Sequence, residues 1–355
     1  MDLSAFPVAA LWRWDLATRL LLAVVGPLVL LPVLPDGGRV VALTAALSAA
    51  LVSLSSLGPD LSTRGWVLVA AVGVPVAVVL GATSVGLPAG GTLVVFVLFT
   101  IHGAMVRTAL LAQLAWFPVA AGGLLAALLF DEPTDLGEVA LGALLGSAWA
   151  LALVRLVPMV VRAPRLPIPV EALAVDTERL RRMVRRPSWR DWLAPLALGA
   201  MSAALLLVTT VLTGGFKPYW AVLAFASVLA PSAAKTREST VETVVASVIG
   251  VALAAGVIAV GLPQVVAIGV IVAMAVAGGA LLLRNGTLSK ALMTPLPVVV
   301  AAAALDANQV LALQLRLAEY VVGAGLGLVV VVGGEYLSRR LWRERLPESQ
   351  GELVG

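Results

Sequence analysis

The composition of this chain is that of a protein that lies in a lipid environment. Its 355 residues are 61% hydrophobic and 12% charged, with a formal net charge of +4 at pH 7. Soluble domains carry about a quarter charged residues, which excludes an ordinary soluble protein. The chain has no cysteine and a single histidine, which excludes a thiolate nucleophile and leaves little for metal binding. It also lacks a phosphate-binding Gly-Lys-Ser/Thr loop, a catalytic carboxylate pair and a Ser/His/Asp arrangement. We therefore expect no enzymatic activity and no cofactor.

Apolar segments follow one another from the start of the chain to its last quarter. Each is close to the roughly 20 residues that a helix needs to cross about 30 Å of hydrocarbon. The apolar runs are continuous instead of alternating, which favours helices over a β-barrel. We predict an all-α, polytopic membrane protein with about 12 transmembrane helices. The predicted spans are 14–34, 39–57, 65–83, 92–108, 109–130, 137–160, 191–212, 217–234, 240–260, 264–284, 286–304 and 309–335.

The two halves of the chain resemble each other at an offset of about 177 residues. Each matching position is weak by itself, but the shared offset is not expected by chance. An apolar chain with an internal repeat is typical of transporters built from two half-bundles. Six spans per half give two parallel six-helix repeats, related by a pseudo-twofold axis along the membrane normal. The matching positions include Gly37-Gly38 and Gly214-Gly215, Arg107 and Arg284, Gln113 and Lys290, and Pro118 and Pro295, and, at a slightly longer offset, Gly142/Gly146 and Gly323/Gly327.

The repeat divides the chain into four parts. They are a first six-helix repeat at 1–161, a basic linker at 162–190, a second six-helix repeat at 191–338 and a tail at 339–355. The linker combines an apolar face with several arginines, which predicts an amphipathic helix on the anionic inner leaflet. A docking or regulatory role is the alternative. The paired glycines of the sixth and twelfth spans predict close packing between the halves or between two protomers, which leaves a homo-oligomer open.

Basic residues concentrate at alternate connections between the spans. The linker 162–190 is rich in arginine, whereas the loop 131–135 is acidic. By the positive-inside rule both termini are cytoplasmic. This distribution explains the positive charge without nucleic acid as a partner, and we expect a multi-pass protein of the bacterial inner membrane, surrounded by lipid. Asp15, Arg19 and Asp191, at the starts of the first and seventh spans, are interpreted as interfacial structure.

The second half opens with the most distinctive motif of the chain, Lys217-Pro218-Tyr219-Trp220, followed by Pro231, Thr236-Arg237 and Gly250. This pattern resembles the fusaric acid resistance and aromatic acid exporter family. Members of that family show a Tyr-Trp pair that opens a span, a proline near its end and a basic stretch. The resemblance is closest over about 190–285. It implies efflux of aromatic carboxylates or related amphiphilic organic anions.

The chain departs from the family in the helix that follows the basic stretch. Thr243 stands where the family usually has arginine, and Ala246 where it usually has a glycine. A role that depends on charge in that helix is therefore not implied for this chain. The large soluble domain that many members carry between the halves is also missing.

Charged residues, aromatic residues and prolines at membrane depth mark the predicted pathway. Prolines at matched positions either interrupt their helices at a binding cavity or only kink them. His102, whose unperturbed pKa is about 6.5, is either a proton relay or a structural histidine bonded to a backbone carbonyl or a headgroup. Arg316 and Glu319 have the spacing of an ion pair, which is either static or opens during transport. The predicted substrate-binding and pathway residues are His102, Arg107, Trp116, Phe117, Pro118, Lys217, Tyr219, Trp220, Arg284, Lys290, Pro295, Arg316 and Glu319.

These features together predict a secondary transporter that exports aromatic carboxylates or related amphiphilic organic anions. Arg107, Arg284 and Lys290 attract the anion to the cytoplasmic mouth, aromatic walls hold its ring, and Lys217 lies near the exit. An anion channel of the same architecture is the alternative within the same class. The alternatives from other classes are a non-transporting membrane scaffold or subunit of a cell-envelope assembly, and an intramembrane enzyme acting on lipid-linked substrates.

Overall fold

The protein is almost entirely helical in the part of the chain that the structure describes. The computed structural model describes residues 13–29, 36–55, 61–84, 88–108, 110–130, 134–161, 181, 185, 189–212, 219–229, 233–281, 284–295 and 309–343. Its helices coincide one for one with the predicted spans, so the all-α fold is confirmed. They are α1 (Trp14–Leu28), α2 (Asp36–Ser55), α3 (Leu61–Thr83), α4 (Pro88–Thr108), α5 (Leu110–Leu129), α6 (Leu136–Val160), α7 (Trp189–Leu212), α8 (Tyr219–Val228), α9 (Ala233–Ala259), α10 (Gln264–Leu281), α11 (Gly286–Met293) and α12 (Gln309–Arg343).

Six of these helices are long and apolar enough to cross a membrane, namely α2, α3, α6, α7, α9 and α12. Helices α4, α5, α8 and α10 hold shorter apolar stretches of 10–17 residues among the described positions. Large apolar side chains point outwards from the bundle, as Val72 (68% exposed), Leu144 (60%) and Val211 (79%) do. An exposed apolar surface of this extent is unfavourable in water and is stable against hydrocarbon.

The helices of each half meet in the same order. In the first half α2 packs on α6, α3 packs on α5 and α6, and α4 packs on α5. In the second half α8 packs on α12, α9 packs on α11 and α12, and α10 packs on α11. Counted from the start of each half, the second helix meets the sixth, the third meets the fifth and sixth, and the fourth meets the fifth. A duplicated bundle would produce this order.

Two glycines on the sixth helix of each half bring it against the backbone of the second helix. Because glycine has no Cβ, the two backbones can approach within van der Waals distance. We expected these glycines to join the halves or two protomers, and that expectation is wrong, since both pairs pack within one half. The contacts join Gly142 and Gly146 of α6 to the carbonyls of Val41 and Ala45, and Gly323 and Gly327 of α12 to those of Ala221 and Phe225.

The two halves meet along a surface that we call the seam, formed by α1, α4, α5, α7, α8 and α10. The fourth helix of each half packs on the first helix of the other, as α4 on α7 and α10 on α1, and α5 also contacts α8. Gly199 of α7 lies directly on Thr100 of α4. Buried apolar side chains from both halves, such as Val119 and Phe225, belong to one continuous core across the seam.

The linker between the halves falls mostly outside the described residues. Within it, Arg181 and Arg185 are described, and both are helical and exposed, while Trp189 and Arg190 already belong to α7. The predicted amphipathic helix therefore stays a prediction.

Candidate functional site

His102 lies on α4 in the middle of the seam and is fully buried. Its ring is flanked by Phe99 of α4 and Phe117 of α5, each with a centroid separation of 5.9 Å. The backbone carbonyl of Ala226 on α8 faces the imidazole, but neither ring nitrogen has a hydrogen-bond partner within the described residues. The imidazole therefore lies where α4, α5 and α8 converge.

Two hydroxyl groups of the seam are also buried without hydrogen-bond partners among the described residues. They belong to Thr100 of α4 and Ser202 of α7. Hydroxyls inside helices usually donate to a carbonyl one turn back, as Thr44 does to Val40 at 2.6 Å. A buried polar group without a partner costs about 1–3 kcal/mol. Folding stability therefore does not explain these polar side chains.

Similar groups occur away from the seam. Ser48 and Ser53 of α2 and Ser147 of α6 are buried, and their hydroxyls have no partner within the described residues. They lie inside the first half, and Ser48 provides a control position outside the seam.

Aromatic residues of α5 line one side of the His102 ring. Trp116 is half-buried and donates from Nε1 to the carbonyl of Leu98 on α4 at 3.1 Å. Phe117 contacts the imidazole, and Pro118 is buried next to it inside α5. Of the two aromatic residues predicted here, Phe117 reaches the buried histidine, whereas the indole N–H of Trp116 is used to join α5 to α4.

The Tyr-Trp pair at the start of α8 is largely enclosed by other helices. The hydroxyl of Tyr219 meets the side chain of Ser84, which follows the end of α3. Trp220 is only 7% exposed, and its ring centroid lies 6.3 Å from that of Tyr320 on α12. The indole of Trp220 therefore packs inside the bundle.

Two of the predicted cations lie near the start of α11. Lys290 is partly exposed, and its Nζ lies 3.4 Å from Glu242 Oε2 and 3.2 Å from the hydroxyl of Thr243 on α9. Arg284 precedes α11 and is exposed. Thr243 replaces the arginine that is usual in the family the sequence resembles. A lysine from the neighbouring helix thus keeps a positive charge beside this position.

The remaining predicted residues are placed only in part. Arg107 and Arg316 lie on α4 and α12, but their side chains are outside the described set, and Lys217 is outside it entirely. Glu319 is buried on α12, and its ion pair with Arg316 stays a prediction. Pro295 is buried just after α11 ends at Met293.

Sequence reasoning missed a buried charged cluster at the start of α1. Arg13 donates from Nε and Nη2 to the two carboxylate oxygens of Asp15, both at 2.8 Å, and Arg19 donates from Nη2 to Asp15 at 3.0 Å. The three side chains are at most 2% exposed. We expected interfacial residues here, and for Asp15 and Arg19 that is wrong, because α10 covers this end of α1. Three charges at the start of one apolar span were the available signal.

The backbone connects this cluster to the second half. The N–H of Arg13 donates to the carbonyl of Ala280, near the end of α10, at 2.9 Å. Close by, a Cβ on Gly279 would lie 2.9 Å from Leu20 Cδ1 of α1. The cluster therefore lies at the second contact between the halves, where α1 meets α10.

Apolar outer faces, membrane-length helices and polar groups buried between two helical groups define a polytopic helical membrane protein. Residues 198–330, from within α7 to within α12, match the family described as fusaric acid resistance protein-like. The resemblance to that family, read from the sequence, is thus confirmed over this segment. The family is one of transporters, and the match is consistent with a role in transport or efflux. No curated protein matches the chain, and no solved structure does either.

Proposed function

We propose that the protein is a secondary transporter that exports aromatic carboxylates or related amphiphilic organic anions along the seam. The observation that carries this proposal is the set of buried polar side chains without hydrogen-bond partners, Thr100, His102 and Ser202, at the contact between the halves. Polar groups at membrane depth are costly and are functional candidates by default. Polar groups that lower the stability of one conformation are retained when they bind water or solute in another conformation.

The packing order supports alternating access about this seam. Both halves repeat four helix contacts, the second with the sixth, the third with the fifth and sixth, and the fourth with the fifth, and the glycine-mediated crossings of α2 with α6 and of α8 with α12 are equivalent in position. We therefore propose that the halves are parallel repeats that rock against each other as bodies. The contacts of α4 with α7 and of α1 with α10 are the ones that such a motion would open and close.

Contacts between helix ends support an orientation with cytoplasmic termini in a bacterial inner membrane. If the helices alternate in direction, the start of α1 and the end of α10 lie on one side, and Arg13 and Ala280 meet there. The starts of α9 and α11 share that side, where Glu242 meets Lys290. The end of α3 and the start of α8 meet on the other side, through Tyr219. The basic linker follows the end of α6 on the first side, which supports assigning that side to the cytoplasm.

The substrate class is supported by charge and by aromatic surface. Arg284 is exposed on the cytoplasmic side, where its positive charge raises the local concentration of anions, whereas the charge of Lys290 is balanced by Glu242. Phe99 and Phe117 supply aromatic surface inside the seam, which suits an aromatic ring. The family match agrees with export of such solutes.

Flux into liposomes tests this proposal. The purified protein is reconstituted, and uptake of labelled benzoate, phthalate and benzenesulfonate is compared with uptake into protein-free liposomes. Benzenesulfonate stays charged, so it cannot leak through the bilayer as a neutral acid. We expect saturable uptake and counterflow. Current without counterflow would identify a channel, and absence of flux for all three anions would contradict transport.

Two variants test whether the seam carries the solute. Thr100→Val and Ser202→Ala remove hydroxyls that have no partner, so we expect unchanged or higher stability, by about 1 kcal/mol, together with slower counterflow. Thr44→Val is the matched control, because its hydroxyl is bonded to Val40 inside the first half. It should lose about 1 kcal/mol and keep its counterflow rate. Equal counterflow in all three variants would contradict a pathway along the seam.

A further inference from the structure

His102 is the only imidazole in the chain, and it lies in the contact that alternating access would open. It is fully buried, and within the described residues its two nitrogens have no hydrogen-bond partner. A structural histidine in a membrane helix would be expected to donate to a carbonyl or a carboxylate. Here the carbonyl of Ala226 faces the ring without a hydrogen bond of good geometry, and at least one nitrogen is available to a small ligand.

The packing beside His102 favours a proton as that ligand. A Cβ on the adjacent Gly103 would lie 2.8 Å from Leu198 Cδ2 and 3.1 Å from Pro195 Cα, so α4 and α7 are in close contact here. On the other side the imidazole touches Phe99 and Phe117. A proton requires no cavity, whereas an organic anion of any size would have to separate these helices.

The elements around the ring carry few charges. The groups that face it are the rings of Phe99 and Phe117 and the carbonyl of Ala226. Helix α5 contains no titratable residue, and the only one on α8 is Tyr219 at its first position. The charged residues of α3, α4 and α7 lie towards helix ends, and they are Arg64, Arg107, Arg190 and Asp191.

We propose that His102 is the proton-binding site that couples export to a proton gradient. This inference rests on the proposed function. A proton adds to the free nitrogen of the neutral ring and gives an imidazolium, and its release restores the neutral ring. No bond to the solute forms or breaks. A charge is costly at this depth, so the protonated ring does not fit the closed seam and shifts the equilibrium towards an open one.

Two measurements on the full-length protein test the inference. The first follows the ¹⁵N signal of the single histidine in liposomes from about pH 5 to 8, with and without benzenesulfonate, using a purification tag that contains no histidine. The second compares benzenesulfonate counterflow, which needs no driving force, with efflux driven by an inward proton gradient. His102→Gln keeps a polar side chain that does not titrate. Ser48→Ala removes another unpartnered buried polar group outside the seam.

We expect the histidine signal to change between its neutral and protonated forms in this pH range. We also expect counterflow by His102→Gln to be slowed no more than in Thr100→Val, and its acceleration by the gradient to be lost. Ser48→Ala should keep both. The signal of the unaltered protein is informative even if His102→Gln does not fold.

Several outcomes would overturn the inference. They are acceleration by the gradient that persists in His102→Gln, loss of counterflow in a folded His102→Gln, and a ring that stays neutral at every pH under both conditions. Counterflow by the unaltered protein without any response to the gradient would defeat the inference but not the proposed function. Absence of counterflow for every anion would defeat both.

Discussion

Asp15 illustrates how a single buried carboxylate organises its surroundings. It accepts two hydrogen bonds from Arg13 and one from the side chain of Arg19, at 2.8–3.0 Å. Taking charges out of water is costly, and the cost is offset only when the geometry is good and the remaining donors are satisfied. The bidentate geometry of Arg13 meets this condition. Asp15 therefore holds two guanidinium groups at the contact of α1 with α10.

Replacing this carboxylate should destabilise the protein strongly. Asp15→Asn leaves two buried cations without their counterion, so we expect a loss of about 3–5 kcal/mol in the free energy of unfolding. Glu242→Gln is the control, since Glu242 and Lys290 are each 37% exposed and such a pair contributes at most about 1 kcal/mol. Denaturant unfolding in detergent measures both variants. Equal losses of unfolding free energy in the two variants would show that burial of the α1 cluster does not increase its contribution to stability.

At the scale of helices, the paired glycines set how closely two elements approach. Gly146 of α6 and Gly323 of α12 each lie on a carbonyl of the facing helix, at Ala45 and Ala221. Without hydrophobic driving force in lipid, close packing of this kind is a main source of helix association. The crossings within each half are thus tight. The seam, in turn, buries the imidazole of His102, whose nitrogens have no hydrogen-bond partner among the described residues.

A methyl group at these positions should separate the helices. Gly146→Ala and Gly323→Ala introduce a Cβ that overlaps a backbone carbonyl, and we expect each to cost about 1–3 kcal/mol. Gly325→Ala is the control on α12, because a Cβ there meets nothing within 4 Å. It should be neutral or stabilising by up to about 1 kcal/mol, as alanine favours helix. Thermal unfolding in detergent compares the three, and a similar effect of all of them would contradict the role of close approach.

At the scale of the whole molecule, twelve helices form two groups that share one packing order and meet along a polar seam. Tight glycine-mediated crossings lie within each group, and three buried side chains without hydrogen-bond partners among the described residues, Thr100, His102 and Ser202, lie at the contact between the groups. This distribution is expected if each half moves as a body. The side of the membrane on which one helix ends is also linked to the sides on which all the other helices end.

The orientation can be tested on a single helix, because the chain has no cysteine. Arg237→Cys and Val260→Cys lie near opposite ends of α9, and both positions are exposed. We expect a membrane-impermeant maleimide to label Val260→Cys in intact cells, and to label Arg237→Cys only after the cells are permeabilised. The physical reason is that the basic connections stay on the cytoplasmic side. The reverse pattern would invert the proposed topology and the direction of export.

Sequence was sufficient for the helices and for the family. The spans follow from runs of apolar residues, and the motif at Tyr219-Trp220 is local, so both are visible without a fold. The position of His102 between Phe99 and Phe117 was visible only in part. Phe99 is one turn away on the same helix, but Phe117 and Ala226 come from other helices. The burial of Trp220 was not visible in the sequence either, since Tyr320, whose ring packs on it, comes from α12.

The sequence by itself determined where the chain crosses hydrocarbon, because the length and apolarity needed for a span are properties of one continuous segment. Only the tertiary structure decided that Asp15 and its arginines are buried, that the glycine pairs act within each half, and that α4 meets α7 at the seam. These outcomes depend on which distant helix covers a given face. In lipid, an apolar helix face gains little free energy by packing on one apolar helix instead of another. Shape complementarity and close backbone approach therefore determine which helices pack together.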